Sequence, residues 1–307
     1  MTLNRVDSQT DEWSDWLLHG RHANDPDFER IVRVAINRVA DYVLDAAELA
    51  PGMTVADVGS GDGLVAFRAI ERIGPSLNVI LTDISVPLLR HAEMLATERG
   101  VHDQCTFLHC SAEKLDEIPD ASVDVVTVRA VLAYVTDKMA ALREFHRILK
   151  PGGRLAISDP ILRDAAIEVI ALKNLIDAQP AESKDRFLSI VHRWKAAQFP
   201  DTVEKMANSP ITNYTERDLV QFVKGAGFAK IHLQFHIDIA PDTNTSWNIL
   251  LGHRPHPWAS PVGTVLLEQC SSDERAIFEQ VMRPVLESGQ FNSIERAAYI
   301  TATKAEG

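Results

Sequence analysis

Cysteine is scarce in this chain: Cys105, Cys110 and Cys270 are the three among 307 residues. Their number is odd and no two are spaced Cys-x-x-Cys, so neither a disulfide framework nor a zinc site is expected, and they read as buried, reduced thiols. Long apolar runs are missing too. No stretch reaches the roughly 18 residues of a membrane span. The opening MTLNRVDSQTDEWSDW lacks the basic-then-apolar order of a signal peptide, so a cytoplasmic location is the expectation. Positive charge is in the minority, with 31 Lys and Arg against 43 Asp and Glu and a formal charge of −12. Such a balance opposes a phosphate backbone and argues against nucleic acid as a partner. Repeats and low-complexity tracts are absent. With 46% hydrophobic and 24% charged residues, the composition is that of an ordinary globular protein, and the length fits one α/β domain enlarged by insertions.

What is present is an alternation of patterns in four zones. Residues 1–50 hold DEWSDWLLHGRHANDPDF and then a helix-like stretch with Ile31, Val34, Ala35, Val39, Tyr42 and Val43 at helical spacing, ended by Pro51-Gly52. Residues 51–159 alternate short apolar runs (MTVADV, NVILTD, CTFLHC, VDVVTV, GRLAISD) with helical ones, the spacing of βα units. Within this zone Lys150-Pro151-Gly152-Gly153 ends a helix, and the sheet is expected to resume at Arg154. Residues 160–213 read as two or three helices broken at Pro180, Pro200 and Pro210, an insertion placed to cover a substrate. In residues 214–307, Thr215 and Asp218 have capping-box spacing for a helix that closes at Gly225 and Gly227. KIHLQFHI then alternates as a sixth strand, a second helical insertion spans about 240–294, and RAAYITAT makes a last strand. The expected fold is α/β: a Rossmann-like, seven-stranded, mostly parallel sheet with helices on both faces and helical insertions forming a lid.

Chemistry concentrates at Asp57-Val58-Gly59-Ser60-Gly61-Asp62-Gly63, directly after the first apolar run and before LVAFRAIERI. Glycines at a strand-to-helix turn let backbone approach a ligand closely. Twenty residues past Gly63, Asp83 closes the second run, where its carboxylate can accept both hydroxyls of an adenosine ribose. A dinucleotide fingerprint wants Gly at its sixth position, which here is Leu64, and a carboxylate at Asp57 would repel a pyrophosphate but suit an ammonium. A cationic nucleoside therefore fits better than NAD.

An acidic residue followed by GxGxG resembles the first motif of class I S-adenosylmethionine-dependent methyltransferases. Ser111-Ala112-Glu113 resembles the stretch lining the adenine in that family, and Asp124-Val125-Val126 resembles its FD-x-V signature with Val123 in place of Phe. ALREFHRILKPGGRLAISD is similar to an element of the small-molecule branch that includes the ubiquinone and menaquinone biosynthesis methyltransferases. The resemblance covers residues 50–160 well and the final two strands loosely. It implies S-adenosylmethionine as cofactor, with Gly59, Ser60, Gly61 and Gly63 approaching its methionine part and Asp57 near its amino group. Asp83 would hold the ribose, Ile84 would pack on the adenine, and Ser111, Ala112 and Glu113 would contact the adenine edge. Arg129 would face the methionine moiety or the acceptor, or form a surface ion pair.

Methyl transfer from a sulfonium needs alignment and exclusion of water more than acid–base groups. Tyr134 and Asp159, at the ends of the fourth and fifth strands, are the catalytic candidates, although Tyr134 could equally cover the core and Asp159 cap the following helix. Trp16, in an N-terminal cluster with Trp13 and Arg21, Arg163 in the first insertion, and His236 on the sixth strand are the substrate candidates. No pair of the 11 histidines has ligand spacing with a third ligand, so no metal is expected. The expected activity is methyl transfer to an O, N, C or S atom of a small-molecule metabolite, by a possible homodimer. A non-catalytic S-adenosylmethionine-binding regulator and an NAD-type oxidoreductase are the competing readings.

Overall fold

The computed structural model describes residues 10–242 and 244–306. Helices α1 (Glu12–Leu18) and α2 (Pro26–Ala47) precede β1 (Thr54–Val58), α3 (Leu64–Ile73), β2 (Asn78–Asp83), α4 (Val86–Glu98), β3 (Cys105–His109), β4 (Val123–Arg129), α5 (Lys138–Ile148) and β5 (Leu149–Pro160). The first insertion supplies α6 (Arg163–Asp177), α7 (Arg186–Ala196) and α8 (Val203–Asn208). It is followed by α9 (Glu216–Gly225), β6 (Ala229–Pro241), α10 (Trp247–Gly252), α11 (Val262–Gln269), α12 (Ser272–Glu287) and β7 (Asn292–Thr303). Each apolar run of the sequence has become a strand: β1 and β4, covered by helices on both faces, are buried almost throughout, whereas the edge strand β6 alternates half-buried with exposed positions.

The strands lie in the order β3-β2-β1-β4-β5-β7-β6. Neighbours from β3 to β5 are parallel, and β7 runs antiparallel to both β5 and β6. Strand order reverses between β1 and β4, so a crevice opens at their carboxyl ends, where open α/β sheets bind ligands. One face of the sheet is sealed by Leu142, Phe145 and Ile148 of α5 with Leu219 and Val223 of α9. The other is sealed by Ala40, Val43 and Leu44 of α2, Phe67 and Ile70 of α3, and Ala92 of α4.

Four features depart from the sequence expectation. On α2 the buried residues are Phe28, Ala40, Val43, Leu44 and Ala47, while Ile31, Val34 and Tyr42 are exposed, because only the second half of this helix packs on the sheet. Strand β5 starts at Leu149, ahead of Arg154. Val123 pairs with Leu149 and Val125 with Arg154, so the Lys-Pro-Gly-Gly segment bulges out of a ladder that continues through it. Strands β6 and β7 extend to a tip where Pro241 pairs with Asn292, beyond the Pro160–Ala297 pair that ends the β5 ladder. The two insertions also share one core: Ile190 of α7 packs with Val262 and Leu266 of α11 and with Phe278 and Met282 of α12. As for the thiols, all three are free but only Cys270 is buried, Cys105 and Cys110 being half-buried on and after β3. No described helix is long and apolar enough to cross a membrane.

Candidate active site

The glycine loop is built by backbone that residues with a side chain rarely adopt. Gly63 sits at φ +77°, and a Cβ there would lie 2.5 Å from the Phe67 ring. Gly59, at φ +66°, would place its Cβ 2.4 Å from Val131. Asp83 fixes the loop from the next strand: its Oδ2 accepts from the Gly61 N–H at 2.8 Å and its Oδ1 from the Ser85 N–H at 2.9 Å. Burial pushes the Asp83 carboxyl above its ordinary range, with these two amides working in the opposite direction.

The crevice above this loop is a cavity of about 190 Å³. Gly59, Gly61, Asp83, Ile84, Ser111, Ala112 and Glu113 line its floor and side, and Arg129 and Tyr134 line the β4 side. Ile84, 48% exposed, lines the cavity, where its side chain is free to pack on a flat ring. The roof comes from the N-terminus. Trp13, Trp16, Leu17 and Arg21 line it, and the Leu17 side chain stands 3.4 Å from where a Gly61 Cβ would be. This roof is tied down at several points. The Ser85 hydroxyl donates to Asp11 at 3.0 Å, Trp16 Nε1 to the Arg254 carbonyl at 2.9 Å, and Arg254 pairs with Asp15. Trp13 meets the rings of Tyr134 and Trp258 at centroid distances of 5.2 and 5.9 Å.

Charge is unevenly placed around the cavity. Arg21 and Arg129 both line it, and burial together with Arg129 lowers the Arg21 guanidinium to about 10. Asp62, buried in the loop, pairs with Arg33 of α2 at 2.6 Å; burial raises its carboxyl, but Arg33 outweighs that and leaves it below the usual range. Asp57 is buried behind the loop. Its Oδ1 accepts from the Thr127 hydroxyl at 2.9 Å, its Oδ2 has no hydrogen-bond partner among the described residues, and burial pushes it up to about 7. A buried, unsatisfied carboxylate oxygen is an acceptor waiting for a donor, and an ammonium would suit it.

Residues 49–210, more than half of the chain, match the methyltransferase-domain family. The chain belongs to that family. It is 30% identical over 193 residues to the ubiquinone/menaquinone biosynthesis C-methyltransferase UbiE of Xanthomonas oryzae pv. oryzae, a match covering 63% of this chain and 72% of that protein. It is 34% identical over 149 residues to the nocamycin O-methyltransferase of Saccharothrix syringae, covering 47% and 52%. The YcgJ protein of Bacillus subtilis shares the fold, with a TM-score of 0.55 at 22% identity over 88% of this chain and 99% of that one. The cyclase SpnF shares it with a TM-score of 0.51 at 19% identity over 89% and 83%. The protein is a class I methyltransferase that uses S-adenosylmethionine on a small molecule.

In this methyltransferase the sequence candidates separate into two groups. Gly59, Gly61, Asp83, Ile84, Ser111, Ala112, Glu113, Arg129, Tyr134 and Trp16 converge on one cavity. Asp57, Ser60 and Gly63 lie in or behind the loop, outside the lining. Asp159 is fully buried beneath the 131–133 turn: it accepts from the N–H groups of Val131, Leu132 and Ala133 at 3.1, 2.8 and 2.8 Å and from the Tyr214 hydroxyl at 3.3 Å. Its carboxylate is thereby occupied in holding the turn that carries Tyr134. Arg163 reaches the Thr212 carbonyl at 3.5 Å, and His236 packs between Tyr42 and Tyr299 on the far side of the sheet; neither lines the cavity. Arg163 falls outside because its guanidinium is turned to the Thr212 carbonyl, and His236 because β6 is the edge strand. Missed by motif reading were Leu17, Leu88, Cys110 and the 130–131 and 135–136 stretches in the lining, none of which carries a motif, and the Arg254–Trp258 stretch that anchors the roof.

Proposed function

We propose that S-adenosylmethionine lies in the cavity above the glycine loop, with Asp83 accepting from both ribose hydroxyls and Ile84 against the adenine. Ser111, Ala112 and Glu113 stand at the adenine edge, and Gly59, Ser60, Gly61 and Gly63 form the backbone cradle for the methionine part. Asp57 serves the amino group from behind the loop, and Arg129 and Arg21 offer cations to the carboxylate end. The observation that carries this reading is the convergence of Asp83, Ile84 and the glycine backbone on one cavity at the β1–β4 switch point. When bound, the cofactor supplies a methyl group already activated on a sulfonium. What remains for the protein is to orient the acceptor and exclude water.

The chain divides the work by position. Residues 10–50 act as the roof, the first nine residues of that expected lid lying outside the described residues, with residues 51–159 as the cofactor core and the helices of 160–213 and of about 240–294 as the acceptor-binding cover. Tyr134 shapes the reacting end of the cavity with its ring: burial and the Asp159 charge raise its phenol further above neutrality, so it does not serve as a base. Asp159 is a positioning residue, acting through the turn it holds. A soluble small-molecule acceptor and a reducing compartment, the cytoplasm, fit three unpaired cysteines and a net charge of −12. The edge strand β6, with Ile237 and Ile239 exposed, supports pairing of two copies, which light scattering reads as a doubled mass.

Incubating the purified chain with methyl-labelled S-adenosylmethionine and a metabolite extract tests the reading. Label should pass to a small extractable product with formation of S-adenosylhomocysteine. Persistent absence of transfer, with cofactor binding demonstrated, would leave a binding protein and overturn the proposal.

A further inference from the structure

A second, larger cavity of about 740 Å³ lies between the first half of α2, the two insertions and the tip of the β6–β7 ribbon. Arg21 is in the walls of both cavities, so the two adjoin at that side chain. The walls are mainly apolar: Ile31, Ala35 and Ile36 of α2 face Val191 of α7 and Phe291 and Ile294 near the ribbon tip. This accounts for Ile31, which leaves the sheet core and is 44% exposed, though not for Val34, which stays in solvent. The volume falls within the roughly 300–1,000 Å³ range of sites that enclose drug-sized ligands. A very small acceptor would leave most of the space to water, which opposes a displacement that needs water excluded.

The polar part of the wall is selective. Lys195 lines the cavity with its Nζ 4.0 Å from the Trp194 ring centroid and forms no ion pair among the described residues. Burial lowers its pKa, and Glu168 is the acid that pulls it back up. His253 is held neutral by burial, at about 4, while Asp242 and Glu295 stand at the ribbon end of the same cavity. A cation among apolar walls with no carboxylate at ion-pair distance among the described residues, only the electrostatic pull of Glu168, favours a ligand that brings its own negative oxygen.

We propose that the larger cavity is the acceptor chamber and that it selects a bulky, predominantly apolar molecule bearing an acidic oxygen group, with Lys195 as the specificity-determining counter-charge. This rests on the methyltransferase reading and names its substrate class.

Two fluorescent probes with related ring systems test it on the full chain saturated with S-adenosylhomocysteine: anilinonaphthalene sulfonate, which is anionic, and phenylnaphthylamine, which is neutral. Both should bind, the anion about tenfold more tightly, the scale of one charge-assisted hydrogen bond. Lys195→Met should remove the anion's advantage and leave the neutral probe within about twofold, since only the charged contact is deleted. Ala35→Trp, or Val191→Phe as a second narrowing variant, should weaken both probes about tenfold or more by filling the chamber. Calorimetric affinity for S-adenosylhomocysteine should stay the same in all three variants, which also reports an intact fold. Competition of the probes with S-adenosylhomocysteine, indifference of both narrowing variants, or equal weakening of the two probes by Lys195→Met would overturn the chamber. Failure of the wild-type chain to bind S-adenosylhomocysteine would instead overturn the cofactor reading.

Discussion

Asp83 does two things at once, and replacing it separates them. In the folded chain it satisfies the Gly61 and Ser85 amides. Asp83→Ala orphans both, at about 1–3 kcal/mol each, so the fold should lose about 2–6 kcal/mol. Toward the cofactor, the lost carboxylate would have accepted two ribose hydroxyls at about 1.5 kcal/mol or more apiece, so affinity should drop at least about a hundredfold. Asp83→Asn keeps the shape and one oxygen but turns an N–H₂ toward one donor, so about one bond is lost and affinity falls about tenfold. Isothermal titration with S-adenosylhomocysteine and with methylthioadenosine, which keeps ribose and adenine but lacks the amino acid, reads the effect. Both ligands should weaken by the same factor. A folded Asp83→Ala chain that binds S-adenosylhomocysteine within about twofold of wild type would refute the ribose contact. A loss confined to S-adenosylhomocysteine would move the carboxylate's role to the amino-acid end.

Other side chains give independent checks. The Asp57 carboxyl keeps its proton up to about pH 7 when folded but releases it near 3.8 when unfolded, so the native state holds more protons across that window and stability falls as pH rises through it. Asp57→Asn should therefore melt higher than wild type above pH 7 and match it near pH 4, as followed by thermal unfolding of the ligand-free chain over that range. Tyr134→Phe should keep kcat within about fivefold because the phenol is no base, whereas Tyr134→Ala, which deletes a ring packed on Trp13 and Trp258, should lose ten- to a hundredfold, as measured by methyl transfer to the identified acceptor. Phe278→Ala, at a position with no exposure, should cost about 3–5 kcal/mol and loosen the helical cover, seen as faster amide exchange in α7, α11 and α12, with S-adenosylhomocysteine affinity preserved.

Local signals were strong wherever a function or an element rested on a few consecutive residues. The seven apolar runs, the Thr215–Asp218 capping box and the glycine loop with Asp83 twenty residues on could all be read along the chain, because strand burial, cap chemistry and positive φ are short-range demands. Reading failed where one element serves two environments. The apolar positions of α2 have a single helical phase in sequence, yet its second half meets the sheet and its first half meets a cavity. Asp159 looked catalytic by its place at a strand end, but whether three backbone amides fold over that end depends on a turn whose path no motif encodes.

Residue order alone was enough to assign the parallel α/β sheet and the glycine loop, since each follows from periodicity or from chemistry confined to one strand–turn–helix unit, and the cofactor class came with the family resemblance that those motifs carry. Three-dimensional packing decided the rest: that Trp13, Trp16 and Arg21 roof the cavity above the glycine loop, that His236 and Arg163 stand away from it, and that helices nearly a hundred residues apart join around Phe278 beside a second chamber. Contacts across such separations are selected by the volume and shape that distant side chains fill together, and no run of neighbouring residues specifies those.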